Sequence, residues 1–280
     1  MVPKIIKMND EHRGRLRSFK SDCSGCSGLC CCALFFSDQD GFPEDKPAGK
    51  PCVNLDQDYR CKIYDDLESQ GMKGCIGFDC FNAGFHVTQN IYGGQSVTED
   101  ESKAKEMNEV FVIVRHLFEI RYFLSVALAI IPVQWLWNDV AELIEENIRI
   151  CDYSPGQILN ADTGGYRERA GAILNRACKL IKTDIQSDSV IAQTVVPGTS
   201  MKGRNLSGLD LSNKLLIAIN FQKCNFQNTI LLGADTRDAD FGHADLRNAL
   251  FLTQGQINSA KGNRWTKLPD YLEYPRTWMD

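Results

Sequence analysis

Nine of the chain's twelve cysteines fall between Cys23 and Cys80: Cys23, Cys26, Cys30, Cys31, Cys32, Cys52, Cys61, Cys75 and Cys80. The run opens C-x2-C-x3-C-C-C and continues as single cysteines at longer intervals. Thiols in such number can be buried apolar groups, halves of disulfides or metal ligands. Their neighbours Ser24, Gly25, Ser27, Gly28, Asp38, Asp40 and Gly41 are polar or glycine, which suits a loop better than a thiol-filled core. Disulfides need an oxidising compartment. The opening MVPKIIKMNDEHRGRLRSFK has no apolar run that could serve as a signal-peptide core, so we read the protein as cytoplasmic and its thiols as reduced. Spacing favours metal. Two thiolates separated by two residues can curl around one ion, and glycines supply the backbone angles of so tight a loop.

The second half of this region reads PCVNLDQDYRCKIYDDLESQGMKGCIGFDC. A turn at Asp56 to Tyr59 before Cys61, Ile63 and Tyr64 predicts a small hairpin, and Cys75 and Cys80 flank Gly77 and Phe78 as a loop would. Together these motifs resemble the bacterial cysteine-cluster family, described as a zinc- or iron-chelating domain. The resemblance rests on C-x2-C-x3-C-C, a later P-C, then C-K-I-Y and C-x4-C, with Pro51, Ile63, Tyr64 and Phe78 beside them. It implies Cys23, Cys26, Cys30, Cys31, Cys52, Cys61, Cys75 and Cys80 as ligands, with Cys32 an extra. An arginine-proline pair common in the family is replaced by Leu67 to Met72. Eight thiolates exceed one four-coordinate site, so two ions or one polynuclear cluster are both open, and the metal is zinc or iron, the latter including an iron–sulfur cluster. If Cys30 to Cys32 are extended, Cys30 and Cys32 face one way and Cys31 the other. His86 is a further candidate ligand, although a lone histidine near a loop is more often hydrogen-bonded.

Helices must position these residues. Thr98 followed by Glu101 has the form of a capping box. Val110, Val114, Leu117, Phe118, Phe123 and Leu124 then recur at helical spacing towards Ile131. Pro132 is placed to start a second helix with Trp135, Val140, Leu143, Ile144 and Ile148 on one face. Ser154-Pro155 opens a polar linker, and Tyr166 to Ile185 reads as a third helix. The uncharged stretch from Tyr122 to Asn138 contains Pro132 and Gln134 and is too short for a membrane span. Residues 186–203 read as a second linker.

From Arg204 to Asn258 the sequence repeats every five residues: RNLSG, LDLSN, KLLIA, INFQK, CNFQN, TILLG, ADTRD, ADFGH, ADLRN, ALFLT, QGQIN. Nine of the eleven third positions are Leu or Phe, interrupted at Thr236 and Gln256, and neither a helix nor a plain strand has this period. The pattern resembles the pentapeptide-repeat family, which implies a right-handed quadrilateral β-helix of four pentads per coil. That resemblance points the third residues inward with the small residues Cys224, Thr229, Ala234, Ala239, Ala244 and Ala249. Asn225, Asp235, Asp240 and Asp245 would support the turns by bonding their own backbone. Arg204, Leu209, Lys214 and Ile219 are too large for the small slot, so the first coil should be irregular. At about 4.8 Å between neighbouring strands the stack is about 13 Å tall and needs caps: the helical region at one end, and Trp265, Leu268, Tyr271, Leu272 and Trp278 at the other.

The expected architecture is therefore multi-domain: a cysteine-rich, metal-bound α-helical domain (1–96, with a helical region 97–190 packed on it), then the short β-helix (204–258) and a cap (259–280). No P-loop, dinucleotide fingerprint or serine-nucleophile motif is present. No basic block suggests nucleic acid, and the net charge is −5. Three functions remain. The first is a non-enzymatic interaction or scaffold protein whose coil binds a protein partner, with a homodimer through the coil end as one arrangement. The second is a metal-dependent modifying or redox enzyme, since such cysteine clusters also resemble a segment of flagellin lysine methylases. The third, gyrase protection by DNA mimicry, needs a long acidic rod. Residues 204–280 carry nine basic against eight acidic residues, which ranks it last.

Overall fold

A column of Leu and Phe at every fifth residue must be buried, and the computed structural model, which describes residues 6, 8–95, 100–184 and 189–279, buries it without a β-strand. The expected right-handed quadrilateral β-helix is therefore corrected. Among the described residues the regular elements are helical: α1 (Asp10–Arg15), α2 (Leu29–Ala33), α3 (Lys73–Gly77), α4 (Ala83–His86), α5 (Glu101–Ala129), α6 (Trp137–Cys151), α7 (Pro155–Leu159), α8 (Thr163–Asp184), α9 (Ser189–Thr194) and α10 (Gln254–Asn258). The pentads form stacked turns in which single residues pair in parallel across the stack: Ser200 with Asn220, Asn205 with Asn225, Asp210 with Ile230, Leu215 with Asp235, and on to Asp245 with Lys267. No pairing extends into a ladder, because the chain bends within every pentad. The fifth position of the block adopts the left-handed conformation at Asn213 (φ 56°), Ala218 (54°), Lys223 (60°), Asn228 (59°) and His243 (60°), which ends each extended segment after a residue or two.

The chain divides into two compact units, one of Met1–Arg17, Ser125–Val140 and Gly171–Asp280, the other of Ser18–Leu124 and Ala141–Ala170. The first contains the pentads. Leu206, Leu211, Leu216, Phe221, Phe226, Leu231, Phe241 and Leu246 are fully buried in one core, and burial of each such side chain contributes about 1.5–3 kcal/mol. Phe221 stacks on Phe241 with ring centroids 5.4 Å apart. The turn carboxylates and amides bond forward as expected: Gln227 N donates to Asn225 Oδ1 at 3.0 Å, Arg237 N to Asp235 Oδ1 at 3.2 Å and Gly242 N to Asp240 Oδ1 at 2.8 Å.

The first turns are as regular as the later ones, against expectation. Leu209 and Ile219 are buried in the small slot, Lys214 reaches out to donate to Ala192 O at 2.8 Å, and Leu206 N and Leu211 N still find Asn225 O and Ile230 O at 2.9 Å. The two interruptions of the column belong together. Buried Thr236 donates its hydroxyl to Gln256 O at 2.8 Å, and Gln256 Nε2 donates to Leu231 O (2.9 Å) and Ala234 O (2.8 Å). The last block, QGQIN, is thus no pentad but α10, whose Thr253–Gln256 capping box closes the coil. In the tail Leu268, Leu272 and Trp278 are buried in the same core, whereas Trp265 is 58% exposed and lies flat on His243 at 5.0 Å. Ile191 and Ala192 of α9 also pack on this core, so residues 189–194 are helix and not linker.

In the second unit Val110, Val114, Leu117, Phe118, Phe123 and Leu124 of α5 are buried, as their spacing predicts, and so is Phe111; Thr98, in the predicted capping box, lies outside the described residues, as does Ile185. In the first unit, Pro132 falls at the start of a 3-10 turn, Ile131–Leu136, and not of an α-helix. Three residues per turn then carry Trp135 off the apolar face, leaving it 83% exposed. On α6 the inward position falls on Asn147 and Ile148 is 41% exposed. Asn147 Nδ2 donates to Leu117 O and to the Tyr166 hydroxyl, both at 3.0 Å, and that hydroxyl donates to Leu143 O at 3.2 Å. Ser154 caps α7 in place of the expected polar linker. Among the described residues no helix is long and apolar enough to cross a membrane.

Candidate functional site

The cysteine-rich segment builds little hydrocarbon core. Phe36, Phe42 and Met72 are buried together, with Leu34, Cys52, Ile63, Leu67 and Cys75 packed around them. Short local devices set the chain path. Asp22 Oδ1 accepts from Ser24 N at 2.9 Å and from its hydroxyl at 2.6 Å, opening the turn that carries Cys23 and Cys26. Gly28 takes φ 64° where a Cβ would press on Leu55 at 2.7 Å, and there α2 begins. Cys30 to Cys32 are therefore helical, so the alternation that an extended run would give does not arise and their side chains fan around an axis. Cys75 likewise stands in α3 and not in a loop. The predicted hairpin is present in minimal form, with Leu55 paired to Cys61.

These devices bring distant cysteines together. Cys52 N donates to Cys31 O at 3.0 Å, joining two of the segments. Burial pushes Cys23 up to about 11, and Cys80, Cys26 and Cys31 add to the rise. Cys26 is raised by burial, with Cys80 again a neighbour. The Cys30 thiol donates to Cys31, which raises Cys30 and lowers Cys31. Burial pushes Cys75 up to about 12 with Cys31, Cys52 and Cys61 contributing, and raises Cys61 with Cys31 and Cys52 nearby. Cys23, Cys26 and Cys80 recur together in these influences, as do Cys31, Cys52, Cys61 and Cys75, and the Cys30–Cys31 hydrogen bond joins the two sets. Cys32, pushed by burial to about 11, stands between them near Cys31, Cys26 and Cys52.

All twelve cysteines are free thiols. Among the described residues, no three His, Cys, Asp or Glu side chains stand in a metal-holding arrangement, so the sulfurs are gathered but not converged. His86 is otherwise occupied: Nε2 lies 3.0 Å from Cys151 O and Nδ1 3.1 Å from Asn90 Nδ2. Cys151 and Cys178, outside this segment, are buried.

Two cations beside the thiols went unnoticed in the sequence. Arg60 Nη1 donates to Cys23 O at 2.6 Å and Cys26 O at 2.9 Å, and Nη2 to Ser24 O. Buried Lys46 donates to Leu34 O at 2.5 Å and Pro47 O at 3.0 Å; burial lowers it, and Cys32, Cys52, Cys31 and Cys30 pull it back up. Arg60 directly precedes Cys61, a neighbourhood that could have drawn notice. Lys46 sits in an unremarked stretch with no local signal.

Residues 215–251 match the family described as pentapeptide repeats, in eight copies. A shorter likeness, 42% identical over 40 residues, links 14% of the chain to 48% of the UPF0153 protein YeiW of Escherichia coli (strain K12). No solved structure matches. The uncharacterized protein YybG of Bacillus subtilis (strain 168) is 34% identical over 262 residues, covering 92% of this chain and 94% of its own. The likeness runs through both compact units, and the chain belongs to the YybG family.

Proposed function

We propose that residues 23–80 are a metal-binding module of structural purpose and that the pentad coil offers a rigid surface to a protein partner. In this reading Cys23, Cys26, Cys30 and Cys80 hold one ion, and Cys31, Cys52, Cys61 and Cys75 a second, each zinc or iron. One observation carries it: eight free thiols lie within residues 23–80, whose local apolar cluster is Phe36, Phe42 and Met72, and separate stretches of that segment meet where Cys52 N bonds to Cys31 O. The donor set fits such a group. Four thiolates suit zinc or an iron–sulfur centre, and the rise of Cys23 and Cys75, from burial first and their neighbours' charges second, is relieved when a cation replaces the protons. A bound ion would supply folding free energy to a core-poor segment. The chain itself brings the segments together: Cys52 N bonds to Cys31 O, and the Leu55–Cys61 pairing keeps Cys61 near Cys52.

Anaerobically purified protein tests this by elemental analysis. We expect two equivalents of zinc in a colourless protein, or stoichiometric iron in a brown one, the latter favouring redox chemistry. Exhaustive chelation should raise amide exchange throughout residues 23–80 and leave residues 204–258 unchanged. A metal-free preparation that chelators do not alter would sink the proposal.

A further inference from the structure

Every carbonyl of the Cys23–Cys26 loop is held by a side chain. Arg60 takes those of Cys23, Ser24 and Cys26, and Gln89 Nε2 takes that of Gly25 at 2.6 Å. Just beyond the loop, Ser27 N donates to Thr88 Oγ1 at 3.0 Å. Arg60 is itself fixed from behind: its amide donates to Asp56 Oδ1 at 2.7 Å and its carbonyl accepts from Asp56 N at 2.9 Å. Three of the loop's four carbonyls are thus drawn towards one guanidinium, while the amides of Gly28 and Leu29 face the Cys26 sulfur. Gly84 leaves the room that sulfur occupies, since a Cβ there would stand 2.7 Å from Cys26 Sγ.

A planar fork of five donors can satisfy three converging carbonyls at once; an ammonium, a point charge on a flexible stem, cannot hold all three in that geometry. We infer that Arg60 is a positioning residue: by gripping three carbonyls it sets how Cys23 and Cys26 are presented to a cation. This rests on the metal-binding reading above and adds to it a residue that touches no metal. Partners of this outer kind typically change metal affinity by about 10–100-fold when removed.

The test uses the full-length chain, reduced and stripped of metal. Zinc is titrated in competition with a chromophoric chelator, and cobalt(II) is used in parallel for its thiolate charge-transfer absorption. Arg60→Ala should weaken one of the two zinc equivalents about tenfold or more, lower part of the cobalt absorption and spare the other equivalent. Arg60→Lys, which keeps the charge and the stem, should fail to restore it and decides the matter if the alanine variant does not fold. Unchanged affinity and cobalt spectrum in the variant that folds overturn the inference. A second arm needs no metal: alkylation of the apo chain, located by mass spectrometry, should speed up several-fold at Cys23 and Cys26 relative to Cys52 and Cys75 when Arg60 is replaced. Equal rates in variant and parent also overturn it. If the parent chain takes up no zinc, the metal-binding reading fails, and the alkylation arm still judges the clamp.

Discussion

The pentad coil and the cysteine-rich segment solve the same problem, ordering a chain with few regular elements, by opposite means. In the coil the turns hydrogen-bond to one another across the stack and nearly all place a Leu or Phe inward, with Phe221, Phe226 and Phe241 in mutual ring contact. In the cysteine segment Phe36, Phe42 and Met72 form a small apolar cluster and Leu29 is buried apart from it, beside thiols, a lysine and backbone carbonyls held by side chains. The coil is stabilised by hydrocarbon burial, which is non-directional and tolerates variation in the small slot. The cysteine segment depends on directional contacts to a few atoms, where one lost partner leaves a polar group stranded.

That contrast can be broken from the coil side. Phe221→Ala should cost about 3–5 kcal/mol, read as a lower denaturant midpoint, while zinc uptake by the cysteine segment is unaffected. If metal uptake falls in step with stability, the two regions are not independent. Gln256→Ala removes the donor to Leu231 O and Ala234 O and the acceptor for Thr253 N, and since Leu231 O keeps Ala234 N we expect a loss of about 1–3 kcal/mol from the stranded Ala234 O and Thr253 N. Ala218→Gly works in the other direction. With φ at 54° an alanine is strained where glycine is not, so the variant should gain up to about 1 kcal/mol by thermal unfolding.

The smallest expected effect is acid sensitivity of the coil. Arg247, bonded to Asp245 at 2.9 Å through Nε, holds that carboxyl below its ordinary value. At Asp210 burial works upward, but Ser212 and Lys182 outweigh it and the carboxyl is again lowered. A group depressed in the folded state stabilises it above the unfolded pKa, and that contribution is lost as pH falls through the folded value. The coil should therefore keep a constant thermal midpoint above about pH 5 and lose stability below about pH 4. The loss should be modest, because both carboxylates are partly solvated. A midpoint that rises on acidification would contradict the assignment.

How much could be read beforehand varied with the range of the interaction. The five-residue period, the inward Leu and Phe, and the Asx turns at Asn225, Asp235 and Asp240 were legible, because each involves residues a few positions apart. The absence of strands was not: fifth-position residues such as Lys223 and His243 carry no sign that they will turn left-handed. Trp135 misled because a proline can open a 3-10 turn as readily as an α-helix. Thr236 and Gln256 looked like two separate defects and are one hydrogen-bonded repair, visible only when residues twenty apart are stacked.

Composition and spacing alone established which atoms are available: nine thiols in one stretch, a repeat every five residues, and helices with one apolar stripe. Which thiol lies beside which, that Arg60 grips the Cys23–Cys26 loop, and that α10 closes the coil were decided by tertiary structure. The reason is physical. Local conformation follows from each residue's own sterics and its near neighbours, whereas the meeting of groups far apart in the chain depends on how all the intervening turns add up.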